Sequence, residues 1–349
     1  MANKQYDPLR ILFCGADEFS IYSLHALRDL QQSRGDKVQS IGVVCRPDKR
    51  VGRGLKHIQE VPIKRVALDL GLNLHQIDTF KGWTPPSTIN LIVAVSFGLL
   101  VPARLLEAAK YGGLNVHPSR LPDLRGPAPI QHTLLERRSH TGVTVQTMHP
   151  TKFDHGTILA QTPEPGLPIP NECTTGKLIE VLGPLGAEML RSSIEDGSFV
   201  PPIHNLDSEL RSITASHAPK IAPQDRKIDW STWTADDLIV RDRVLGRLWD
   251  TTTYQRSVYG RDDTGSCKRV TFQGPWKNAP VPPRTLDNAT DVGYPINGSF
   301  QTDRFEFLTA DGYVISPTAA TIEGERKDRG IATLQSGLRK RLQPSAHQR

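Results

Sequence analysis

A carboxamide, an imidazole and a carboxylate stand where they could do chemistry together. Asn115 and His117 come directly after an apolar run, and Asp154 follows a second stretch, 144–148, that alternates like a strand. On an extended backbone, side chains two positions apart project to the same face. A carboxamide and an imidazole directed at one point can stabilise a developing oxyanion and move a proton beside it. We therefore predict a catalytic site of Asn115, His117 and Asp154 at strand ends, where open parallel sheets place their chemistry.

The elements that must position these residues alternate between strand and helix. Such alternation predicts an α/β fold, in which right-handed crossovers build a parallel sheet with helices on both faces. The strand patterns lie at 10–14, 38–45, 72–75, 91–95, 113–116 and 144–148, and the helical patterns at 19–30, 61–70, 105–110, 126–137 and 174–194.

Two segments near the predicted site could form the walls of a pocket. In the turn made by Ser119, Arg120, Leu121 and Pro122, the proline fixes its own backbone, which leaves main-chain groups free to pair with a heterocycle. Phe97-Gly98 closes the apolar strand 91–95 and could supply a second edge of the pocket, although the same pair could be an ordinary turn.

Neither a nucleotide site nor a metal site is indicated. The segment that begins at Gly15 lacks G-x-G-x-x-G, and 52–54 is not followed by a helix at the required spacing. His132, His149 and His155 stand near the motif, but their spacing matches no zinc-ligand pattern. We expect these histidines to be ordinary polar residues.

Composition is that of a globular protein with a moderately basic charge. The chain has 349 residues, 37% of them hydrophobic and 23% charged, and a net charge of +6. This length favours two domains. No apolar run reaches the roughly 18 residues that a membrane-spanning helix needs, so we expect no membrane partner. The four cysteines are widely scattered and form no C-x-x-C, which is typical of reduced thiols in an intracellular protein.

The strongest local concentration of positive charge is a loop near the N-terminus. Lys49, Arg50, Arg53 and Lys56 surround two glycines there, with a single acid, Asp48. A run of charge is usually a solvated surface. The glycines, and the prolines that bracket the segment, indicate instead a loop that an anionic partner could order.

The pattern changes in the last third of the chain. Residues 201–225 are polar and punctuated by proline, which is typical of a linker. Beyond them, short strands at 268–272, 304–308 and 313–316, the last two joined by a turn at 310–312, predict a small barrel. We therefore expect a catalytic domain at 1–200, a linker at 201–225, a second domain at 226–335 and a basic tail at 336–349.

Four motifs around the predicted site resemble those of the formyltetrahydrofolate-dependent formyltransferases. They are Asn-x-His at 115–117, Ser-x-Leu-Pro at 119–122, Arg-Gly at 125–126 and Asp-x-Gly at 154–156. Within that superfamily the chain is most similar to the methionyl-tRNA formyltransferases. The residues at its motif positions resemble those of their eukaryotic organellar branch more than those of the bacterial one. The segments that carry this similarity are ILFCGADEFSIYSLHAL (11–27), RPDKRVGRGLKH (46–57), AVSFGLLVP (94–102) and APKIAPQDRKIDW (218–230).

The resemblance implies a Rossmann-like parallel-sheet formyltransferase domain followed by a small OB-like β-barrel. It also implies 10-formyltetrahydrofolate as co-substrate, with no metal, and initiator methionyl-tRNA as formyl acceptor. In the family the Ser-x-Leu-Pro segment borders the folate, and the loop that matches 46–57 contacts the tRNA acceptor stem, where Arg53 matches a key arginine. The N-terminus, MANKQYDPLR, has no readable targeting signal, so the resemblance alone suggests the mitochondrial matrix. We expect a monomer.

Three alternatives stay open at this point. A formyltetrahydrofolate hydrolase or a sugar-amine formyltransferase would share Asn115, His117 and Asp154 but should lack the basic loop around Arg53. A different class is an RNA-binding protein that kept the fold and lost catalysis.

The sequence departs from the family pattern beside the predicted site. The family often has Asp where Thr157 stands here, and this difference would alter the arrangement of water near Asp154.

Overall fold

The computed structural model describes residues 4–206, 213–259, 267–278, 292–293, 305–327 and 329–342, without the side chains of residues 53, 278 and 342. The chain divides into two units between Lys220 and Ile221, inside the predicted linker. The elements of the first unit are β1 (Leu9–Gly15), α1 (Glu18–Ser33), β2 (Val38–Cys45), β3 (Lys49–Val51), β4 (His57–Gln59), α2 (Pro62–Asp69), β5 (Asn73–Gln76), β6 (Leu91–Val95), α3 (Ala103–Ala108), β7 (Gly113–His117), α4 (Pro129–Leu135), β8 (His140–Thr141), β9 (Thr144–Thr147), β10 (Ile158–Gln161), β11 (Leu167–Pro168) and α5 (Thr175–Asp196).

A seven-stranded sheet organises the first unit, in the order β10-β9-β7-β6-β1-β2-β5. From β7 to β5 the neighbouring strands are parallel, as predicted. At the other edge β9 runs antiparallel to β7, and β10 antiparallel to β9. The prediction of a wholly parallel sheet is therefore wrong at the edge that carries Asp154. Apolar alternation indicates a strand but not the direction in which the strand enters the sheet.

Helix α1 follows directly from local sequence. Asp17 is its N-cap, and its carboxylate accepts a hydrogen bond from the Ser20 backbone N at 3.1 Å, which satisfies one of the donors left free at a helix start. The helix buries Leu24, Leu27 and Leu30, and it packs against α5. None of the helices in the described part of the chain has the length and apolar character to cross a membrane.

The second unit has small antiparallel sheets around an aromatic core. Among its described residues, one three-stranded sheet has the strand order 249–250, 270–273, 319–322, and another has the order 277–278, 314–316, 307–308. The predicted pairing of the last two short strands across the turn at 310–312 is confirmed. Trp230 stacks on Phe307 at 4.6 Å between ring centroids within this core. The elements are α6 (Ala235–Leu245), β12 (Trp249–Asp250), α7 (Thr253–Val258), β13 (Val270–Gln273), β14 (Lys277–Asn278), β15 (Phe307–Leu308), β16 (Val314–Ser316), β17 (Ala319–Ile322) and α8 (Gly330–Leu342).

The predicted basic tail begins inside a helix. Helix α8 buries Leu334 and Leu338 in the core of the second unit, so residues 336–342 belong to that helix. Leucines four residues apart lie on one face of a helix. This spacing indicates a helix, but the basic residues around it led us to predict a tail. Residues 343–349, together with Arg304 in the predicted strand 304–308, lie outside the described residues.

Candidate active site

Strand β7 places Asn115 in the middle of the sheet, opposite Ala94 of β6 and Gln146 of β9. The Asn115 Nδ2 donates to the Ala94 carbonyl O at 2.9 Å, and the Asn115 Oδ1 accepts from Gln146 Nε2 at 3.1 Å. These partners fix the orientation of the Asn115 side-chain amide. A carbonyl oxygen can only accept a hydrogen bond, so the atom that faces Ala94 must be Nδ2. One Nδ2 hydrogen is not needed for the bond to Ala94, and Asn115 lines a cavity. The residue can therefore present a hydrogen-bond donor to a bound molecule.

His117 lies on the same face and is held at both ring nitrogens. Only 5% of the residue is exposed. The Nε2 atom lies 3.0 Å from the Leu124 carbonyl O, so it must carry a hydrogen. The Nδ1 atom lies 3.4 Å from Asp154 Oδ1. A hydrogen bond between Nδ1 and that carboxylate requires a second proton, so His117 and Asp154 form a pair built to hold a transferable proton.

Asp154 reaches this pair by a different route from the predicted one. It lies on the loop 148–157, between β9 and β10, with a left-handed φ of 54°. Because β9 runs antiparallel to β7, its carboxyl end lies beside the amino end of β7, away from His117. The loop therefore folds back to bring the carboxylate to His117. The predicted meeting of Asp154 with His117 is present, but the loop and not a shared strand end produces it.

The Arg-Gly motif holds this loop in place. Gly126 N donates to Asp154 Oδ2 at 2.8 Å, and Arg125 Nε donates to the Asp154 carbonyl O at 2.8 Å. A side chain at Gly126 would not fit, because its φ is +123° and a Cβ there would lie 2.5 Å from the Ala218 carbonyl O. Glycine at this position therefore allows the backbone N–H to approach the carboxylate.

The Asp-x-Gly motif has an equally direct steric reason. A Cβ on Gly156 would lie 1.6 Å from the Thr147 carbonyl O, so only glycine permits the loop to return against β9. The next residue, Thr157, donates its backbone N–H to Thr147 Oγ1 at 2.8 Å. The residue that departs from the family pattern thus helps to fasten the loop to the strand.

Gln146 is a site residue that the sequence analysis did not single out. Its side chain contacts both Asn115 and Asp154: the Nε2 lies 3.1 Å from Asn115 Oδ1 and 3.4 Å from Asp154 Oδ1. The residue is 2% exposed. A signal was present, because Thr144 and Gln146 put two polar side chains at alternate positions of a buried strand.

The three predicted catalytic residues open into a cavity of about 850 Å³. Phe97 and Gly98 line it, as predicted, and so do His149 and His155, whereas His132 does not. No group of three or more potential metal ligands occurs among the described residues. The cavity belongs to the first unit, and Lys220, from the predicted linker, contributes to its wall.

Part of the predicted linker is built into this wall. Arg125 N donates to the Ser216 carbonyl O at 3.0 Å, and Ala218 N donates to the Arg125 carbonyl O at 2.7 Å. The Ser216 hydroxyl in turn donates to Asp123 Oδ1 at 2.6 Å. Proline and polar residues suggested a free connection, but the backbone of 216–218 pairs with the loop that follows β7.

Asp17 is a second acidic group on the cavity wall. Burial raises the pKa of its carboxyl to about 6, against the opposing effect of the hydrogen bond from Ser20 N. The sequence around Asp17 lacks a dinucleotide fingerprint, and we did not predict a site residue there. The structure shows that the N-terminus of α1 opens on the same cavity as Asn115.

The Ser-x-Leu-Pro segment lies outside the lining of the cavity and is hydrogen-bonded to the strands beside it. None of Ser119, Arg120, Leu121 and Pro122 is among the residues that line the cavity. Main-chain groups that we expected to be free for a heterocycle are paired within the protein, since Leu121 N donates to Thr144 Oγ1 at 3.0 Å and the Leu121 carbonyl O accepts from Gln161 Nε2 at 2.7 Å. The proline turn therefore braces the loop after β7 against the neighbouring strands.

The basic loop forms a β-hairpin, with Lys49 opposite Gln59 and Val51 opposite His57 in strands β3 and β4. At its tip Gly52 and Gly54 take positive φ angles of 80° and 71°. The backbone of Arg53 begins a single 3₁₀ turn there, while its side chain lies outside the described part of the structure.

Charge and apolar surface are both exposed on this hairpin. Lys49, Arg50 and Lys56 are exposed to solvent, and so are Leu55 and Ile58, at 58% and 61%. At the base of the hairpin Lys64 forms an ion pair with Asp48, which neutralises the single acid of the loop. The tip therefore presents an excess of positive charge.

Comparison with known proteins agrees with these observations. The formyl transferase family model matches residues 9–182, which include the whole central sheet and the site. The chain is similar over its length to sugar formyltransferases of known structure. WlaRD, a sugar 3N-formyl transferase, has a TM-score of 0.50 at 15% identity and covers 92% of this chain and 100% of its own. The N-formyltransferase from Helicobacter canadensis has a TM-score of 0.50 at 14% identity, with 88% and 98% covered.

The family match, together with the fold, is that of a formyltransferase. Among curated proteins, the mitochondrial methionyl-tRNA formyltransferase of Saccharomyces cerevisiae is 35% identical over 312 residues, which is 78% of this chain and 76% of that protein. Methionyl-tRNA formyltransferase of Enterococcus faecalis is 34% identical, with 70% and 76% covered. The mitochondrial enzyme of Bos taurus is 32% identical, with 70% and 59% covered. The chain belongs to the methionyl-tRNA formyltransferase family.

Proposed function

We propose that this chain transfers the formyl group of 10-formyltetrahydrofolate to the α-amine of initiator methionyl-tRNA and so supports translation initiation. One observation carries the proposal: Asn115 and the His117–Asp154 pair converge on a single cavity. Names of the curated relatives support the acceptor, and the exposed positive charge of the hairpin at 49–59 suits an RNA backbone.

In the proposed reaction the lone pair of the free α-amine attacks the formyl carbon. The carbonyl electrons move to oxygen, and the tetrahedral intermediate then collapses as the bond to N10 of the folate breaks. N10 gains the proton that the attacking amine has given to the His117–Asp154 pair. Asn115 donates its remaining Nδ2 hydrogen to the oxyanion. One such donor in a site closed to water contributes about 3 kcal/mol to the transition state.

The proton that the amine loses passes to the His117–Asp154 pair. His117 Nδ1 faces Asp154 Oδ1 at 3.4 Å, and its Nε2 is already engaged by the Leu124 carbonyl O at 3.0 Å. Both ring nitrogens face acceptors of the protein, so His117 has no N–H left for a second bond to the oxyanion. We assign it to proton handling, with the transferred proton held between His117 Nδ1 and Asp154 Oδ1. Asp154 orients the ring and holds the positive charge that develops on it.

The folate lies in the cavity against Phe97 and Gly98, which line the wall. Ser119, Arg120, Leu121 and Pro122 contribute indirectly, by holding the loop that carries Arg125 and Gly126. This arrangement assigns them a supporting part in co-substrate binding, because their polar groups already have partners in the protein.

The tRNA acceptor stem contacts the hairpin, with Arg53 as the principal contact and Lys49, Arg50 and Lys56 as further phosphate partners. We propose that the second unit is an OB-like barrel, a fold often used on nucleic acids. Two observations support a role for that unit in positioning tRNA: Arg269 stacks over Trp249 at 3.9 Å, and α8 ends in the basic turn 339–341. Contacts of this kind position the nucleic acid without reading its bases.

We further propose that the chain acts as a monomer in the mitochondrial matrix, without a membrane partner. Mitochondrial relatives from yeast and cattle support that location. We propose a catalytic domain at 1–200, a connection at 201–225 and a second domain that begins at 226 and includes helix α8 (Gly330–Leu342), whose Leu338 is buried in its core. The hydrogen bonds of 216–218 to the loop after β7 support a connection that shares in the site.

Formyl transfer to charged initiator tRNA tests the proposal, with a sugar amine and water as competing acceptors in parallel assays. We expect turnover on the tRNA and none above background on the other two. Release of formate without any acceptor would support the hydrolase. Turnover on the sugar amine alone would support that formyltransferase, and tRNA binding without turnover would support a protein that kept the fold and lost catalysis.

A further inference from the structure

Gln146 has a fully determined amide orientation. Its Oε1 accepts a hydrogen bond from the Gly156 backbone N at 3.0 Å. A backbone N–H can only donate, so the oxygen end of the Gln146 amide must face Gly156. The nitrogen end must then face the other way, toward the site.

The nitrogen end of Gln146 meets two acceptors that belong to the site. Its Nε2 lies 3.1 Å from Asn115 Oδ1 and 3.4 Å from Asp154 Oδ1. Strand pairing aims it there, because Gln146 lies directly opposite Asn115 in the antiparallel pair of β7 and β9. Opposite side chains in such a pair are close neighbours on one face of the sheet.

This contact fixes the direction in which Asn115 donates. With Oδ1 turned toward Gln146, Nδ2 must turn toward the Ala94 carbonyl O, at 2.9 Å, and its second hydrogen is left for the cavity. If the Asn115 amide turned over, its oxygen would face the Ala94 oxygen, and two acceptors would be in contact. The orientation of a group proposed to stabilise the oxyanion is thus fixed from two sides, by the Ala94 carbonyl O and by a chain of bonds that runs from Gly156 through Gln146.

We propose that Gln146 is a positioning residue of the formyl transfer: it sets the orientation of the Asn115 amide and steadies the Asp154 carboxylate. The inference rests on the proposed function for its chemistry, while the orientation itself can be measured without any reaction. Its effect is exerted through Asn115 and Asp154, so it should appear in kcat and hardly in KM for the formyl donor.

Two substitutions separate this role from simple packing. Gln146→Met keeps a similar side-chain volume and removes every hydrogen bond. Gln146→Glu keeps the acceptor for Gly156 N but replaces the donor, so a carboxylate faces Asn115 Oδ1 and Asp154. We expect Gln146→Met to lower kcat by about 10-fold and Gln146→Glu by about 100-fold or more, the range found for loss of one oxyanion donor.

Asn90→Asp is the matched control for the Gln146 variants, because it too removes an amide donor from a buried side chain. Asn90 is 3% exposed, and it joins Arg10 N to the Pro8 carbonyl O, at 2.7 and 3.0 Å, where strand β6 begins. It does not line the cavity. The control should lose thermal stability as the Gln146 variants do, yet keep kcat per folded molecule within about twofold of the wild type.

The experiment combines steady-state kinetics on charged tRNA with NMR of the Asn115 side-chain amide. We expect the Asn115 amide resonances to move in both Gln146 variants and not in Asn90→Asp, while kcat falls only in the former. Unchanged Asn115 resonances, or kcat equal to that of the control, would overturn the proposal. Inactive wild-type protein on tRNA would overturn the proposed function alone, because the resonances still decide whether Gln146 orients Asn115.

Discussion

Asp154 Oδ1 lies 3.4 Å from His117 Nδ1, although strand β9, which precedes Asp154, ends beside the amino end of β7 and away from His117. The loop 148–157 closes that gap, and it is fastened by Gly126 N on the carboxylate and Arg125 Nε on the main chain. Because a 1 Å displacement of a reacting group can cost a large part of catalysis, activity should depend on how firmly this loop is held.

Removal of either polar group on β7 should stop the reaction without unfolding the protein. Asn115→Ala and His117→Ala should each lower kcat by at least about 100-fold, because their interactions are made in the transition state. Asp154→Asn should act similarly, since it leaves no anion to hold the proton of His117. Single-turnover formylation measures the effect, and circular dichroism controls for folding. Near-normal turnover in Asn115→Ala would remove the basis of the proposed site.

Glycine at 156 should be essential for both fold and activity. In Gly156→Ala the new Cβ would meet the Thr147 carbonyl O at 1.6 Å, so the loop that carries Asp154 must move. Overpacking of this kind costs about 1–3 kcal/mol, and kcat should fall with it. Gly42→Ala is the control, because a Cβ at Gly42 meets nothing within 4 Å. Equal unfolding midpoints in urea for the two variants would contradict the steric argument.

The acid on the cavity wall should give stability a particular pH dependence. Burial raises the pKa of Asp17 from 3.8 to about 6. Between these values the unfolded chain releases its proton before the folded protein does, so this group makes folding less favourable as the pH rises from about 4 to 6, and the penalty persists above 6.

Asp17→Asn keeps a good N-cap acceptor and removes that penalty. The variant should equal the wild type in the free energy of unfolding near pH 4 and exceed it at pH 7. The gain is at most about 3 kcal/mol, from about two pK units at 1.36 kcal/mol each. Urea unfolding at four pH values measures it. A difference that is the same at every pH would show that the charge of Asp17 is not the cause.

The hairpin should determine affinity for tRNA. Arg53→Ala should weaken tRNA binding, spare binding of the formyl donor and reduce the log–log salt slope by about one unit, because one phosphate contact and its released counterion are lost. Lys49→Ala and Arg50→Ala should act in the same direction more weakly.

Arg53→Lys then separates charge from shape. Lysine keeps the charge but not the planar fork of donors, so a defect close to that of Arg53→Ala would indicate bidentate recognition. Filter binding across a series of salt concentrations checks each variant. An unchanged slope and unchanged turnover in Arg53→Ala would favour a small-amine acceptor.

The sequence alone was enough to predict those features that depend on local periodicity, such as the face on which a side chain lies and the position of a strand. Alternation of side chains along a strand predicted that Asn115 and His117 share a face. The patterns at 38–45 and 91–95 located β2 and β6 at the residues where they occur. The glycine positions at 126 and 156 were also visible in the motifs, although their reason is steric and depends on Thr147 and Ala218.

Only the tertiary structure decided the direction in which each strand enters the sheet and which main-chain groups are left without a hydrogen-bond partner in the protein. The direction of β9 is set by packing across the sheet, because an apolar pattern is the same read either way. That direction puts Gln146 opposite Asn115. Hydrogen bonding between distant segments likewise turned the proline loop at 119–122 into a brace and part of the linker into a cavity wall, since buried main-chain groups must find partners that local sequence does not reveal.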